Sequence, residues 1–250
     1  MKKSQNPSTM QLTTLTLNIP LHPGNIPAFR GSIVELLGRE YHLFHNHDNS
    51  QGKDHFHWGY PLVQYGVRRG KATIIGMNEG SDAINQVLWP RLSNQLSIAG
   101  REYELRDKGI GSQQIEINWQ TQPQRYGLSG WLALNKDNYQ LWKTTKDEDI
   151  RRTVLNQALT GHLRCLAGAL QLPEPKRAIG EVLHIDNQKK VHWKNGLQLI
   201  SFDVLIQCNL NLMPGLGLGR LAAFGYGEMM SEDYYRAYRN SKRGVMAYEM

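Results

Sequence analysis

The sequence predicts an α+β protein built from two tandem ferredoxin-like (RRM-like) halves, the second of which carries a C-terminal glycine-rich loop. Hydrophobic patterns in the first half follow the order β, α, β, β, α, β. That order is typical of a four-stranded antiparallel sheet covered by two helices. The second half repeats part of it, and 250 residues are enough for two such domains.

In the first half, each element follows from the spacing of its apolar residues. Residues 10–19 alternate apolar and polar positions, as a half-buried strand does. Residues 28–38 and 81–97 place apolar side chains at helical spacing. A polar, His-rich loop is expected over 41–59. The predicted elements are strand 10–19, helix 28–38, a hairpin of strands 60–68 and 71–77, helix 81–97 and strand 112–121.

The second half begins with a short apolar strand and continues with a long amphipathic helix and three strands separated by turn signals. Its predicted elements are strand 129–135, helix 147–170 and strands 181–186, 189–194 and 197–209. We therefore expect an N-terminal domain over 1–125, with the His-rich loop, and a C-terminal domain over 126–250, with the glycine-rich loop and a basic tail.

Composition favours a polyanionic partner. The formal net charge is +7, with 29 Lys and Arg against 22 Asp and Glu. An excess of this kind assists binding to nucleic acid by counterion release. The two cysteines lack the spacing of a metal site and are expected to be reduced thiols. We expect a cytoplasmic protein, because neither a signal peptide nor an apolar run of membrane-spanning length is evident. No cofactor is expected.

A glycine-rich segment near the C-terminus is the most informative motif. It contains five glycines in thirteen residues, around a single arginine. Glycine is costly to order, so such a cluster indicates positive φ angles, tight bends or the close approach of a ligand. Open amide groups beside an arginine suit phosphate oxygens. The predicted RNA-binding residues of this segment are Gly215, Gly217, Gly219, Arg220, Gly225 and Gly227.

Two common nucleotide motifs do not fit this segment. A dinucleotide fingerprint needs a strand–loop–helix context with an acidic residue about 20 positions later, and a Walker loop needs Gly-Lys-Ser/Thr. Residues 220–227 are predicted to be extended instead. A glycine-rich hairpin or bulge without a ligand is the alternative that stays open.

The segment from Gly217 to Gly227 fits the pattern G-h-G-x5-G-h-G, with a basic residue inside the x5 stretch. This pattern resembles the signature of the RAMP superfamily, and specifically of the CRISPR precursor-RNA endoribonucleases, the Cas-six family. The resemblance implies two RRM-like folds that bind CRISPR repeat RNA and cut it at one site without a metal. CRISPR effector-complex or adaptation proteins are further expected partners, and the oligomeric state, monomer or homodimer, stays open.

Five of the nine histidines lie between Tyr41 and His57. Histidine is well suited to proton transfer near neutral pH, and RNA cleavage by the 2′-hydroxyl needs both a base and an acid. In the resembled family, catalytic histidines lie just after the first helix, where His45-Asn46-His47 falls. The predicted catalytic residues are therefore His45 and His47, with His42 and His57 as further candidates.

Three alternatives stay open at this stage. Two His-x-His units could bind zinc or copper, and the His-rich segment could be a solvated loop. A non-catalytic RNA-binding RAMP subunit fits the glycine segment equally well. Among the scattered basic residues, Arg68 and Arg69 at the hairpin turn are predicted to contact RNA phosphates.

Overall fold

The computed structural model describes residues 8–45, 47–48, 55–56 and 59–248. Contacts divide the chain into two compact units. Unit 1 contains Met1–Ile117, Ala169–Leu172 and Ala223–Gly225, and unit 2 contains Asn118–Gly168, Pro173–Ala222 and Tyr226–Met250. The predicted division between 125 and 126 falls within a strand, Trp119–Trp131, whereas the contact division lies between Ile117 and Asn118.

Unit 1 has the ferredoxin-like strand order. Its elements are β1 (Ser8–Pro20), α1 (Ile26–Leu37), β2 (His47–Asp48), β3 (His55–Phe56), β4 (Val63–Arg68), β5 (Lys71–Met77), α2 (Glu79–Ala83), α3 (Trp89–Arg91), β6 (Gln95–Ile98), β7 (Arg101–Glu104) and β8 (Lys108–Ile117). The main sheet has the order β4-β5-β1-β8, with antiparallel neighbours throughout. Leu15 and Leu17 of β1 and Phe29 and Ile33 of α1 lie in one buried core.

The second helical segment of unit 1 is shorter than the predicted helix 81–97. It runs through α2, a π-helical turn over Ile84–Leu88, and α3. Pro90 has no amide hydrogen, so the regular i to i−4 ladder cannot continue through it, and widened π turns and early helix ends are common responses. The chain leaves the helix at Leu92 and forms the β6–β7 hairpin, which the sequence pattern did not predict.

Unit 2 repeats the strand order of unit 1, but a loop connects its last two strands where unit 1 has a helical segment. Its elements are β9 (Trp119–Trp131), α4 (Lys136–Thr144), α5 (Glu148–Ala169), β10 (Gly180–Trp193), β11 (Leu197–Leu210), β12 (Glu228–Ser231) and α6 (Glu232–Tyr248). The sheet order β10-β11-β9-β12 matches that of unit 1. The glycine-rich segment lies between β11 and β12, at the point in the strand sequence where unit 1 has its second helical segment.

The glycine-rich segment is not extended, which corrects the prediction for residues 220–227. Ala222–Phe224 form a short 3-10 turn, and Leu221 has a left-handed φ of 57°. Gly225 and Gly227 also have positive φ, at 79° and 68°. These angles strongly favour glycine, so the segment uses its glycines to turn the backbone repeatedly.

The C-terminal basic tail forms α6, which is fixed to the sheet of unit 2. The Tyr235 hydroxyl donates to Asp186 Oδ2 at 2.8 Å, and Arg239 forms an ion pair with the same carboxylate. Glycine at position 127 leaves room for the Tyr235 ring, since a Cβ there would lie 2.0 Å from the ring carbon Cγ. Within the described residues, no helix combines the length and apolar character needed to cross a membrane.

Candidate nucleic-acid interface and active site

His45 follows α1 directly. The helix stops at Gly38, whose φ of 89° turns the chain, and a 3-10 turn over His42–Phe44 leads into His45. The residue is only 6% exposed, and its ring atom Nε2 lies 2.7 Å from the backbone oxygen of Arg39. The segment between α1 and β4 therefore holds this imidazole in a fixed position.

The contact with Arg39 defines the proton on one nitrogen of His45. A backbone carbonyl only accepts hydrogen bonds, so Nε2 carries the hydrogen in this contact. In the neutral ring the lone pair is then on Nδ1, and this is the atom that can take a proton from a hydroxyl group. The same contact resembles the orienting bond that sets the tautomer of catalytic histidines.

The other predicted histidines are less defined. His47 is the first residue of β2, and its backbone pairs with Phe56 in β3. The structure describes the backbone of His47 and not its side chain. His57 lies wholly outside them. His42 is exposed and engaged in contacts of its own. The structure thus fixes one imidazole of the predicted pair.

A buried tyrosine connects the His45 turn to the sheet of unit 1. The hydroxyl of Tyr65, on β4, donates to the backbone oxygen of Phe44 at 3.2 Å. Burial raises the pKa of Tyr65 well above its usual value, so the hydroxyl stays a neutral donor. The Tyr65 ring also meets Phe29 of α1 edge to face, with centroids 5.7 Å apart. Residue 44 is therefore held between the helix and the sheet.

Gly225 is the one predicted loop glycine that belongs to the same unit as His45. It is exposed, and a Cβ at this position would lie 2.8 Å from Ile26 Cδ1 and 3.3 Å from the backbone oxygen of Tyr65. Glycine is required here by both its positive φ and this close approach. Residues 223–225 therefore pack on α1 and β4, on the elements that also support the His45 turn.

Arg68 and Arg69 lie where the sequence predicted them, at the β4–β5 turn. Arg69 and Gly70 have φ values of 50° and 74°, as in the two-residue turns that join twisted antiparallel strands. The Arg69 side chain is exposed, whereas Arg68 is partly buried and already has contacts. Of the two, Arg69 is therefore the more accessible to a phosphate.

The amides of the glycine segment are mostly used within the protein. Hydrogen bonds to backbone oxygens are donated by the amides of Gly215 (2.6 Å), Leu218 (2.9 Å), Arg220 (3.3 Å), Gly227 (3.2 Å) and Met229 (2.8 Å). In this structure these five amides are therefore not open to a phosphate. Gly217 and Gly227 are also buried. The backbone of the segment is thus hydrogen-bonded to β12, to the end of β9 and to itself.

Arg220 keeps an exposed side chain, although one of its donors is engaged. Its Nη1 donates to the backbone oxygen of Leu134 at 2.7 Å. The neighbouring Gly219 leaves room for Trp131, whose Nε1 donates to His162 Nδ1 at 3.2 Å. Burial, with the positive charge of Arg220 as a second cause, lowers the pKa of His162 to about 4. His162 is therefore a neutral acceptor at pH 7.

The described residues contain no cluster of three or more His, Cys, Asp or Glu that could hold a metal ion. Most of the proposed His-x-His units lies outside the described side chains.

Sequence reasoning did not single out Arg30 of α1. The residue follows Ile26 by one helical turn, at the border of the apolar face formed by Ile26, Phe29, Ile33 and Leu37. An arginine at such a border is a weak signal, because long basic side chains often pack their stems along apolar surface. Two tertiary features draw attention to it: Phe224, from the loop, packs on its guanidinium group, and its Nε has no hydrogen-bond partner among the described residues.

Comparisons with known proteins agree over nearly the whole chain. Family models of the Cas6b N-terminal and C-terminal domains match residues 8–116 and 118–232. A crystal structure of Cas6b is similar with a TM-score of 0.77 at 19% identity, covering 89% of this chain and 99% of that one. A second, described as the CRISPR RNA processing endoribonuclease Cas6b, has a TM-score of 0.66 at 16% identity, covering 89% and 98%. No curated protein sequence matches the chain. The predicted tandem ferredoxin-like fold is confirmed.

Proposed function

Because this chain belongs to the Cas6b family, we propose that it is an endoribonuclease that binds CRISPR repeat RNA and cleaves it, without a metal ion, to give guide RNA. The observation that carries the proposal is the match of both Cas6b domains over residues 8–232, together with the fixed imidazole of His45 after α1. The net charge of +7 suits an RNA partner.

The proposed reaction is an internal transfer of the phosphate. The 2′-hydroxyl oxygen at the cleavage site bonds to the adjacent phosphorus, and the bond from phosphorus to the 5′-oxygen of the next nucleotide breaks. A base removes the proton of the 2′-hydroxyl, and an acid supplies a proton to the leaving oxygen. The products are a 2′,3′-cyclic phosphate and a 5′-hydroxyl. No oxidant or cofactor is needed.

We assign the acid and base to His45 and His47. Nδ1 of neutral His45 has the lone pair needed for a base, and in the protonated ring the same atom becomes a donor. The exposed side chains of Arg69 and Arg220 are proposed phosphate contacts. We retain Gly225 as a place where RNA backbone could pass closely, because it is exposed and has no side chain. A cytoplasmic location, and a monomer or homodimer, stay predictions.

The test is cleavage of the cognate repeat RNA in excess EDTA, with His45→Ala and His47→Ala as variants. We expect wild-type cleavage to continue in EDTA, and at least one variant to lose about 100-fold or more in rate, as general acid–base groups do. The ends of the products should be a cyclic phosphate and a hydroxyl. Cleavage that requires added metal would overturn the mechanism, and full activity in both variants would overturn the site.

A second candidate is an RNA-binding subunit that does not cleave. The burial of His45 at 6% exposure and the engagement of its Nε2 favour it, because a substrate must reach a catalytic ring. It predicts tight binding of repeat RNA with no product after long incubation. The His45→Ala variant would then show reduced stability without any change in RNA affinity.

A further inference from the structure

Arg30 is a partly buried arginine whose Nε, itself buried, has no hydrogen-bond partner among the described residues. Its guanidinium carbon lies over the ring of Phe224, 4.6 Å from the centroid. Both residues belong to unit 1, since residues 223–225 group with it. The loop therefore covers a cation on helix α1 with an aromatic ring.

No acidic side chain among the described residues forms an ion pair with Arg30. Burial lowers the pKa of Arg30, but an arginine stays protonated in proteins. An aromatic face attracts a cation without accepting its N–H groups in full hydrogen bonds, so donor capacity is left over. A buried cation of this kind is completed by an anion.

A second arginine of unit 1 shows what a satisfied arginine looks like. Arg91 also lies over an aromatic ring, that of Tyr41, at 5.2 Å from the centroid. Its Nη1 donates to the backbone oxygen of Val87 at 3.1 Å, and its Nη2 donates to the Tyr41 hydroxyl at 2.9 Å. The two arginines share the ring contact, and their hydrogen bonds distinguish them.

The position of Arg30 connects it to the predicted site. It lies one helical turn after Ile26, whose Cδ1 lies 2.8 Å from the place that a Cβ at Gly225 would occupy. The backbone oxygen of Tyr65 lies beside the same glycine, and the charge of Arg30 acts on the Tyr65 hydroxyl. That hydroxyl donates a hydrogen bond to the backbone oxygen of Phe44, the residue before His45. Arg30 thus belongs to the group of side chains that supports both the loop tip and the His45 turn.

We propose that Arg30 is a substrate-contacting residue whose guanidinium binds a non-bridging oxygen of the scissile phosphodiester. The inference rests on the proposed function, because it names the group that meets the phosphate in that reaction. Guanidinium donors match phosphate oxygens in geometry and charge. As the 2′-oxygen attacks, negative charge grows on those oxygens, and a fixed cation stabilises it without reorganisation.

The experiment compares Arg30→Gln, Arg30→Lys and the control Arg91→Gln, in the full chain, by single-turnover cleavage of repeat RNA with the protein in excess. We expect Arg30→Gln to lose about 100-fold or more in rate, the scale seen when one transition-state donor is removed. Arg30→Lys should recover part of the rate, since it keeps the charge without the planar fork. Arg91→Gln should stay within about twofold of wild type.

Thermal unfolding separates this role from a structural one. Arg30 has no acidic partner among the described residues, so its removal leaves no buried carboxylate unpaired. Arg30→Gln should therefore melt at or above the wild-type temperature although its cleavage rate falls. Full rate in Arg30→Gln would overturn the proposal. A lowered melting temperature that accounts for the lost rate in both Arg30 variants would also overturn it.

Binding measurements keep the inference distinct from the proposed function. With a repeat RNA carrying a 2′-deoxy nucleotide at the cleavage site, the slope of log affinity against log salt should become less negative by about 0.7 in Arg30→Gln, because one phosphate contact to single-stranded RNA is lost. The slope for Arg91→Gln should not change. If the wild-type protein does not cleave, the proposed function fails, and an unchanged slope in Arg30→Gln would then independently refute the phosphate contact.

Discussion

At the scale of single residues, the histidines divide into two chemical roles. His45 donates through Nε2 to a backbone oxygen, and His162 accepts from the indole of Trp131 through Nδ1. Residue type alone did not separate them. The difference lies in the partner atom that the fold presents to each ring.

His162 makes stability depend on pH. Its pKa is about 4 in the folded protein, against 6.5 for the free side chain. The unfolded chain therefore binds a proton at a higher pH than the folded one, and the stabilising contribution is complete above about pH 6.5. It is lost as the pH falls through about 4. The loss is at most about 3 kcal/mol, and less because part of the residue remains accessible.

The measurement is the free energy of unfolding in urea at pH 7.5 and pH 4.5, for wild type and His162→Gln. Glutamine can still accept from Trp131 but does not titrate in this range. We expect the wild type to lose more stability than the variant between the two pH values. Equal losses would show that His162 is not the group responsible.

At the scale of elements, the glycine-rich segment takes the place of a helix. In unit 1 the chain passes from the third to the fourth strand of the sheet through helical turns, whereas in unit 2 it passes through residues 211–227. The sequence identified this segment and its need for unusual backbone angles correctly. Its prediction of an extended backbone over 220–227 was wrong, because alternating positive and negative φ values produce turns instead.

A matched pair of glycine variants tests the structural part of this segment. Gly227 has a φ of 68°, and a Cβ there would lie 1.9 Å from the backbone oxygen of Leu218. Gly161 lies within α5 and has no atom within 4 Å of that position. We expect Gly227→Ala to lower the free energy of unfolding by about 2–4 kcal/mol, and Gly161→Ala to raise it by about 0.5–1 kcal/mol.

Chemical denaturation of both variants, read by circular dichroism, checks this pair. Equal stability of Gly227→Ala and wild type would show that the segment rearranges freely. The glycines would then be better explained by contact with RNA than by the backbone hydrogen bonds that join the segment to β9 and β12.

At the scale of the whole molecule, the boundary between the two domains is a prediction with a clear structural alternative. The strand β9 begins before the predicted boundary, and its first part pairs with β11 through Trp119 with Leu210 and Arg125 with Gln207. A fragment beginning at residue 126 loses these pairs, whereas one beginning at residue 118 keeps them.

We therefore expect the fragment 118–250 to unfold cooperatively and at a higher temperature than the fragment 126–250. The reason is that this exposed first part of β9 pairs with β11, so its removal breaks backbone hydrogen bonds between the two strands and leaves the facing edge of β11 without a partner. Differential scanning calorimetry of the two fragments is the measurement. Equal melting temperatures would support the boundary predicted from the sequence.

The sequence by itself identified the main strands of unit 1, the long helix of unit 2, and the glycine-rich and histidine-rich segments. It did not identify the β6–β7 hairpin or α4, and it divided the single strand β10 into two. Periodicity of apolar residues and the cost of ordering glycine are local properties, so they can be recognised without coordinates. They sufficed for the tandem ferredoxin-like fold and for the family that the chain resembles.

Only the tertiary structure decided which polar groups are already satisfied. The amides around Gly215 and Gly227 bond to distant backbone oxygens, and Arg30 meets Phe224, which is remote in sequence. Such pairings depend on how elements pack, and the hydrophobic pattern of a segment carries no information about them. For this reason most of the loop amides expected to be open are bonded within the protein. Nε of Arg30, which the sequence did not single out, has no hydrogen-bond partner in the described part of the chain.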